Sequence, residues 1–486
     1  MHYKKPKDRN SLLLYPNINL WVESDSPVRL IDLVIEEFLR ENEACCSWGG
    51  QNDTGCRSYS PSTMLKLLLY CYFNWIPGSR RMEKEAYRNI EVIWLLGELK
   101  PDFWTICRFR RENMELIRSA GLALRKFILA EGYADGKTIV FDGSKMKASA
   151  GWEMLSDKKL KSRIDNIDQT LEKYLDNTEE IDELEDRLDR ESQDKEELIK
   201  RVDELEKEKA KLEELRKTLE ESSKKYVSPT DPEASLMKSR DGKKACYNVQ
   251  AGVDARHHMI VLAEVTNKEC DYELLKPDYE SLKEQLNINP REIQADTGYG
   301  NADQIREIEQ SSSTICYVPI QEPLSKKNDR KNGIAFIYDS QNDCYKCPNG
   351  RILRSIGKNA KRRSQLYNLY RCNDCSSCPI KDKCTASPKG RSIRINVNQS
   401  WLTSYKVRLN REENIQKLKQ RKTIVEHTFG TIKMLMGKMG FQLRSKCKVQ
   451  IEVDLYATVY NLKRLITIES MDNLINKVRM YNWKIV

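Results

Sequence analysis

Between Trp152 and Ser228 the sequence contains neither glycine nor proline. Within this stretch Leu160, Ile164, Ile167, Leu171 and Tyr174 alternate four- and three-residue steps. Leu198, Val202, Leu205, Leu212, Leu215 and Leu219 make a second such run. Heptad spacing without a breaker means helix, with one apolar stripe to be covered by a partner. Apolar residues vanish around 190–196. The pattern therefore predicts two helices of about 30 residues folded into an antiparallel hairpin. One long intermolecular coiled coil is the competing reading. The arm 155–225 holds 24 acidic and 17 basic residues, a net of −7 that reads as a solvated face.

The whole chain of 486 residues has a formal net charge of +10, so everything outside the arm carries about +17. A basic body with one acidic arm suits a polyanionic partner such as nucleic acid. No apolar run approaches the roughly 18 residues that span a bilayer. The run Leu12 to Leu14, after a basic N-terminus, is too short for a signal peptide. The expectation is a soluble, non-secreted protein. Histidine is scarce (His2, His257, His258 and His427), which argues against a histidine-rich metal hydrolase and turns attention to carboxylates.

Residues 1–130 read as helical. Ser60 and Pro61 open one helix as N-cap and first residue, with Leu65, Leu68, Leu69 and Phe73 on its stripe. In P-D-F-W-T-I-C-R-F-R-R-E-N, Arg108, Arg110 and Arg111 alternate with Trp104, Ile106 and Phe109. Arginines among aromatics can contact a nucleic-acid backbone; a basic helix with core aromatics has the same composition. After Pro229 and Pro232, residues 245–254 and 259–266 read as strands around a turn at 255–258, followed by a helix near 271–287. A basic helical region covers 402–440, and 451–466 has the spacing of a helix packed on the core.

Two short apolar strands run into an aspartate. K-T-I-V-F-D-G-S-K ends its apolar run at Asp142, and E-I-Q-A-D-T-G-Y-G ends its run at Asp296. Both look like central strands covered on two faces, and each is expected to pass into a glycine-bearing turn, at Gly143 in the first case. In open α/β sheets functional groups gather at the carboxyl ends of strands. Two carboxylates side by side repel unless a cation sits between them, and hard oxygen ligands suit Mg²⁺ or Mn²⁺. The candidate for a third acid is Glu426, on a helical stripe with Arg421, Lys422 and Lys433; a surface ion pair is the alternative.

Taken together, F-D-G-S-K, Y-N-V-Q-A-G-V-D, Q-A-D-T-G-Y-G, the C-x-x-C-x-x-C-P-x-x-x-x-C run and V-E-H-T-F-G-T-I-K resemble bacterial insertion-sequence transposases of the DDE class. More narrowly, the chain resembles the group with a helical N-terminal domain and a cysteine-rich segment before the final Glu. The resemblance covers nearly the whole chain. It implies an α/β fold: an RNase H-like mixed sheet flanked by helices, an all-helical N-terminal domain, an inserted coiled-coil hairpin and a small zinc-ribbon-like insertion. It implies a catalytic triad of Asp142, Asp296 and Glu426 holding two Mg²⁺ (or Mn²⁺) ions, with Lys433 at the DNA end. Where many relatives place Tyr and Arg before the Glu, this chain has Lys419 and Lys422, with Arg421 adjacent. The expected DNA contacts are Arg108, Arg110, Arg111, Arg421, Lys422, Lys433 and Arg444. The expected location is the bacterial cytoplasm, at the nucleoid.

The expected divisions are 1–130 (helical, DNA-binding), 131–151 and 229–335 (core), 152–228 (hairpin), 336–395 (cysteine-rich) and 396–486 (core with the Glu helix and a C-terminal helix). Within the cysteine-rich segment stand Cys344, Cys347, Cys372, Cys375, Cys378 and Cys384. Separated C-x-x-C pairs point to a structural tetrahedral Zn²⁺, with Cys344 and Cys347 the expected first pair. Unbound thiols and an iron–sulfur cluster are the other readings. The functional expectation is a metal-dependent transposase that binds terminal inverted repeats, cleaves there, and joins the 3′-OH to target DNA as a homo-oligomer. The alternatives are a non-catalytic zinc-ribbon regulator or domesticated remnant, and a structural coiled-coil protein.

Overall fold

The computed structural model describes residues 17–42, 58–151, 153–185, 193–222, 224–239, 242–322, 328–329, 331–362, 365–437 and 440–484. In chain order the helices are α1 (Pro27–Glu41), α2 (Pro61–Phe73), α3 (Ser79–Arg88), α4 (Ile90–Leu96), α5 (Phe103–Glu112), α6 (Met114–Ala130), α7 (Asp157–Glu185), α8 (Gln193–Glu221), α9 (Leu275–Leu286), α10 (Ala302–Ser311), α11 (Lys381–Cys384), α12 (Gln399–Leu409), α13 (Glu412–Met436), α14 (Lys446–Ile468) and α15 (Met471–Met480). The strands are β1 (Thr138–Lys147), β2 (Ser235–Ser239), β3 (Gly242–Asp254), β4 (Ile260–Thr266), β5 (Glu292–Gln294), β6 (Ile315–Tyr317), β7 (Ile337–Asp339), β8 (Cys344–Lys346), β9 (Ile352–Arg362), β10 (Gln365–Arg371) and β11 (Ser392–Asn396). The fold is mixed α/β.

Two compact units share the chain. One comprises 1–135, 143–269 and 426–486; the other comprises 136–142 and 270–425. The chain passes between them inside β1, between Asp142 and Gly143, and inside α13, between Val425 and Glu426. These units cut across the divisions expected from composition. The N-terminal helices do not stand apart: they share a unit with β2–β4, the hairpin and the C-terminal helices.

In the first unit, α14 explains this arrangement. It packs on α2, α6 and β4, and every residue from Val449 to Leu462 is buried. Its polar side chains are therefore internal and need partners. Gln450 accepts from the Val265 amide at 2.8 Å and donates to the Ala263 carbonyl at 2.9 Å. Asn461 likewise accepts from and donates to Ile260, both at 2.9 Å. Helix side chains thus complete the hydrogen bonding of β4, which pairs with β3 and would otherwise present an open edge. Gly121 lets α6 approach closely, because a Cβ there would lie 2.9 Å from Thr458 Oγ1.

The hairpin α7–α8 belongs to the same unit. Leu160, Ile164, Ile167, Leu205, Leu212, Leu215 and Leu219 form its seam. Asp157 meets Arg216 at 2.9 Å and Asp168 meets Lys209 at 2.6 Å, so the helices run antiparallel. Reciprocal backbone bonds between Leu155 and Val227 (2.8 and 2.9 Å) close the base. The expected break near 190–196 falls partly outside the described residues, as does the side chain of Tyr174.

In the second unit β1, β5 and β6 are parallel neighbours, with Thr138 opposite Glu292 and Val140 opposite Gln294. Tyr405 of α12 ties down the chain after β6: its hydroxyl accepts from the Val318 amide at 3.0 Å and donates to the Val318 carbonyl at 2.9 Å. Strands β7 to β11 form a separate antiparallel sheet in the order β11-β10-β9-β8-β7.

Candidate active site

Ile139, Val140 and Phe141 are fully buried, so β1 is a core strand up to Asp142, whose side chain is 23% exposed. Extending the parallel register by two residues from the Val140–Gln294 pair brings Asp142 and Asp296 level. Asp142 lies within β1, and Asp296 lies two residues past the end of the neighbouring parallel strand β5. Asp296 caps a short 3₁₀ turn, Thr297–Tyr299, and its Oδ1 accepts from the Gly298 amide at 2.7 Å. Gly143 is not the expected turn. β1 runs on through it to Lys147, so the first aspartate lies within a strand rather than at its end.

Two residues that the sequence reading passed over belong to this cluster. A Cβ on Gly298 would lie 2.8 Å from Asp296 Oδ1 and 3.5 Å from Asp271 Oδ2, so the Asp271 carboxylate stands beside that of Asp296. Tyr299 is fully buried, and its hydroxyl is held protonated by burial first and then by Asp278, Asp271, Asp142 and Asp296. It can donate to a carboxylate but never adds a charge. Tyr299 was visible in the D-T-G-Y-G motif; Asp271 becomes informative only through the fold.

Arg421 is a cation beside Asp142. Its Nη1 lies 3.9 Å from Asp142 Oδ1, its side chain is 12% exposed, and Nη1 has no hydrogen-bond partner among the described residues. Further along the same helix, Lys419, Lys422, Glu426 and Lys433 are all exposed and recur at near-helical repeats. That stripe sets one acid among three lysines. Arg444 is exposed and donates from Nε to the Ser149 carbonyl at 3.1 Å.

The arginines of α5 separate. Arg108 and Arg111 are exposed and lie beside Glu112 at 3.0 and 3.2 Å. Arg110 is buried: Nη1 donates to the Tyr72 hydroxyl at 3.1 Å and to the Pro77 carbonyl at 3.2 Å. It serves the core, and a DNA contact is not open to it.

The cysteine cluster is also rearranged relative to expectation. Cys347, Cys372, Cys375, Cys378 and Cys384 line one cavity together with Phe336, whereas Cys344 is buried in β8 and does not line it. Amides point at two of the sulfurs: Arg351 N donates to Cys347 Sγ at 3.3 Å and Arg391 N to Cys375 Sγ at 3.4 Å. Burial, then Cys375, pushes the Cys372 thiol up to about 11. Among the described residues no group of three or more His, Cys, Asp or Glu side chains is drawn close enough to hold a metal ion. The donor chemistry nevertheless differs sharply between the two clusters: oxygen only around Asp142 and Asp296, sulfur only in the cavity. The first suits a hard divalent cation and the second a soft one.

Two aspartates, one within β1 and one just past the neighbouring strand β5, with an arginine beside Asp142 in a mixed α/β chain of net charge +10, suit chemistry on phosphodiesters when divalent ions are bound. Comparison with known families gives the class. A family described as a transposase DDE domain matches residues 346–466, spanning most of the cysteine module and α13 with Glu426. A second, described as a transposase domain, matches residues 16–112, covering α1 to α5. Together the two matches support an insertion-sequence transposase of the DDE type. No curated protein and no solved structure is significantly similar to it. Among the described residues no helix is long and apolar enough to cross a membrane.

Proposed function

We propose that this transposase binds the terminal inverted repeats of its element, hydrolyses a phosphodiester there, and transfers the resulting 3′-OH to target DNA. The observation that carries the reading is the parallel pairing of β1, which holds Asp142, with β5, which leads two residues on into Asp296. Asp142, Asp296 and Glu426 are the proposed ligands of two Mg²⁺ or Mn²⁺ ions in an RNase H-like core. When bound, such ions activate the attacking oxygen and neutralise charge on the leaving one. Water adds to phosphorus, the P–O3′ bond breaks, and the 3′ oxygen leaves as a hydroxyl. In the second displacement that hydroxyl attacks a target phosphodiester and expels another 3′ oxygen.

The chain's own cations have distinct tasks in this scheme. Arg421, close to Asp142 and without a hydrogen-bond partner for Nη1 among the described residues, is suited to a non-bridging oxygen of the reacting phosphate. Lys422 and Lys433, on the Glu426 stripe, and Arg444 hold flanking phosphates. Arg108 and Arg111 on α5 add contacts from the N-terminal helices. The α7–α8 hairpin acts as a coiled-coil arm, and the protein works as a homo-oligomer on DNA in the bacterial cytoplasm. A structural Zn²⁺ is proposed for the cavity thiols Cys347, Cys372, Cys375, Cys378 and Cys384, rather than for a site that includes Cys344.

The test is cleavage of duplex DNA bearing the element's ends. Wild-type protein with Mg²⁺ nicks it. Asp142→Asn, Asp296→Asn and Glu426→Gln each lower the rate by about 10³-fold or more while still binding the DNA. Wild-type rates in all three would remove the triad, and binding without any cleavage by the wild type would favour a non-catalytic regulator.

A further inference from the structure

We propose that Arg421 is a brake on metal loading, holding the divalent affinity of Asp142 down until DNA brings a phosphate to offset its charge. The inference rests on the DNA-transposase reading and adds to it a control on when the site fills.

The place of Arg421 is built into the packing of α13. One helical turn earlier, Lys417 donates from Nζ to Glu292 Oε1 at 2.5 Å and stands 4.7 Å from the centre of the Tyr317 ring. Glu292 opens β5 and Tyr317 closes β6, so this turn of the helix is fastened to the parallel strands. Ile424 and Val425, a turn later, are buried. Positions 417, 421, 424 and 425 share one helical face, and that face is turned toward the sheet. Arg421 therefore reaches inward, with Nη1 at 3.9 Å from Asp142 Oδ1. Lys422, one residue on, is exposed.

The contact is an interaction of charges rather than a bond. At 3.9 Å no hydrogen bond joins Nη1 to the carboxylate. Nη1 is nevertheless shielded from solvent and has no hydrogen-bond acceptor among the described residues. The side chains of Arg421 and Asp142 are 12% and 23% exposed, so water screens the pair poorly. A fixed cation in that position opposes a dication at the same carboxylate. The oxygen-only donors around Asp142 and Asp296 suit Mg²⁺ or Mn²⁺, and Arg421 lowers their affinity for either ion. A phosphate oxygen supplies what Nη1 lacks, an acceptor with an opposite charge. With a DNA phosphate in place the local charge is offset and the opposition to the ion is relieved. A merely structural ion pair is the other account of the contact. It carries the opposite sign, since losing a packed arginine would loosen Asp142 and weaken metal binding.

The experiment is Mn²⁺ titration of the full chain without DNA, followed by calorimetry. Arg421→Gln is expected to bind Mn²⁺ about tenfold more tightly than wild type, as Coulomb repulsion across a partly screened pair implies. Arg421→Lys keeps the charge and should stay within about threefold of wild type. In an Asp142→Asn background Arg421→Gln should give no gain, because the carboxylate on which the charge acts is gone. Saturating duplex DNA, with the duplex alone as blank, should tighten Mn²⁺ binding by wild type about tenfold. Equal or weaker binding by Arg421→Gln without DNA, a gain that persists with Asp142→Asn, no tightening by DNA, or no Mn²⁺ binding by either chain overturns the proposal. Cleavage of end-bearing duplex is scored in the same preparations. Wild-type cleavage with no gain in Arg421→Gln defeats only this inference, whereas the gain without cleavage by the wild type defeats only the enzymatic reading.

Discussion

Arg108, Arg110 and Arg111 are near neighbours in sequence, but a helix turns about 100° per residue, so they cannot share one face. Arg108 and Arg111, three apart, stand with exposed Trp104; Arg110 falls on the side of Ile106 and Phe109 and is buried. Its guanidinium also faces Glu452, which burial keeps above the usual carboxylate range and Arg110 draws back down. Arg110→Met therefore leaves the Tyr72 hydroxyl and the Pro77 carbonyl without this donor and removes a cation near Glu452, whose carboxylate keeps the Gln442 and Leu443 amides. We expect a loss of about 2 kcal/mol in chemical denaturation, typical of leaving buried polar groups without their donor. DNA affinity of the folded fraction should not change. Arg108→Ala with Arg111→Ala should do the reverse, weakening DNA binding with stability within about 0.5 kcal/mol of wild type. The period of the helix could have separated these arginines from sequence alone. Asp271 is a different case: it precedes α9 in an ordinary K-E-C-D-Y stretch, and only the fold sets it beside Asp296.

At the scale of elements, what was legible follows from how local each signal is. The arm was readable because heptad spacing and an absence of breakers act within a few turns, and the ion pairs Asp157–Arg216 and Asp168–Lys209 settle the antiparallel direction. The capped start of α2 was readable for the same reason: Ser60 Oγ accepts from the Thr63 amide at 3.1 Å. The continuation of β1 past Gly143 was not, because a glycine is compatible with strand or turn and the neighbouring strands decide. The β7–β11 sheet was obscured by its cysteines and by strands too polar and short to alternate cleanly. The arm's closed base carries a prediction. Because Leu155 and Val227 are joined by two backbone bonds, replacing 157–221 by a short Gly-Ser linker should leave the rest folded. Circular dichroism should lose helical signal in proportion to the residues removed, with the main thermal transition retained. Loss of that transition would mean the arm is part of the folding core.

At the scale of the molecule, composition divides the chain into consecutive blocks, whereas packing interleaves them. Asn42, near the end of α1, donates to the Trp483 carbonyl at 2.8 Å, and Tyr72 stacks edge-on against Tyr456 with ring centroids 5.0 Å apart. Such pairs, hundreds of residues apart, leave no local trace. They bring the N-terminal helices into one unit with α14. The same interleaving makes both unit boundaries fall beside proposed catalytic acids: Asp142 is the last residue of one segment and Glu426 the first of another. If the two carboxylates hold one pair of ions, removing either empties the same site. The chain carrying both Asp142→Asn and Glu426→Gln should then cleave DNA no more slowly than either single variant, because groups that act as a unit are strongly non-additive. Single-turnover cleavage at saturating Mg²⁺ measures this directly. Rates that multiply, with the double variant slower than each single variant by the other's full factor, would mean that the two acids act in separate steps and that the triad has to be redrawn around Asp142, Asp296 and Asp271.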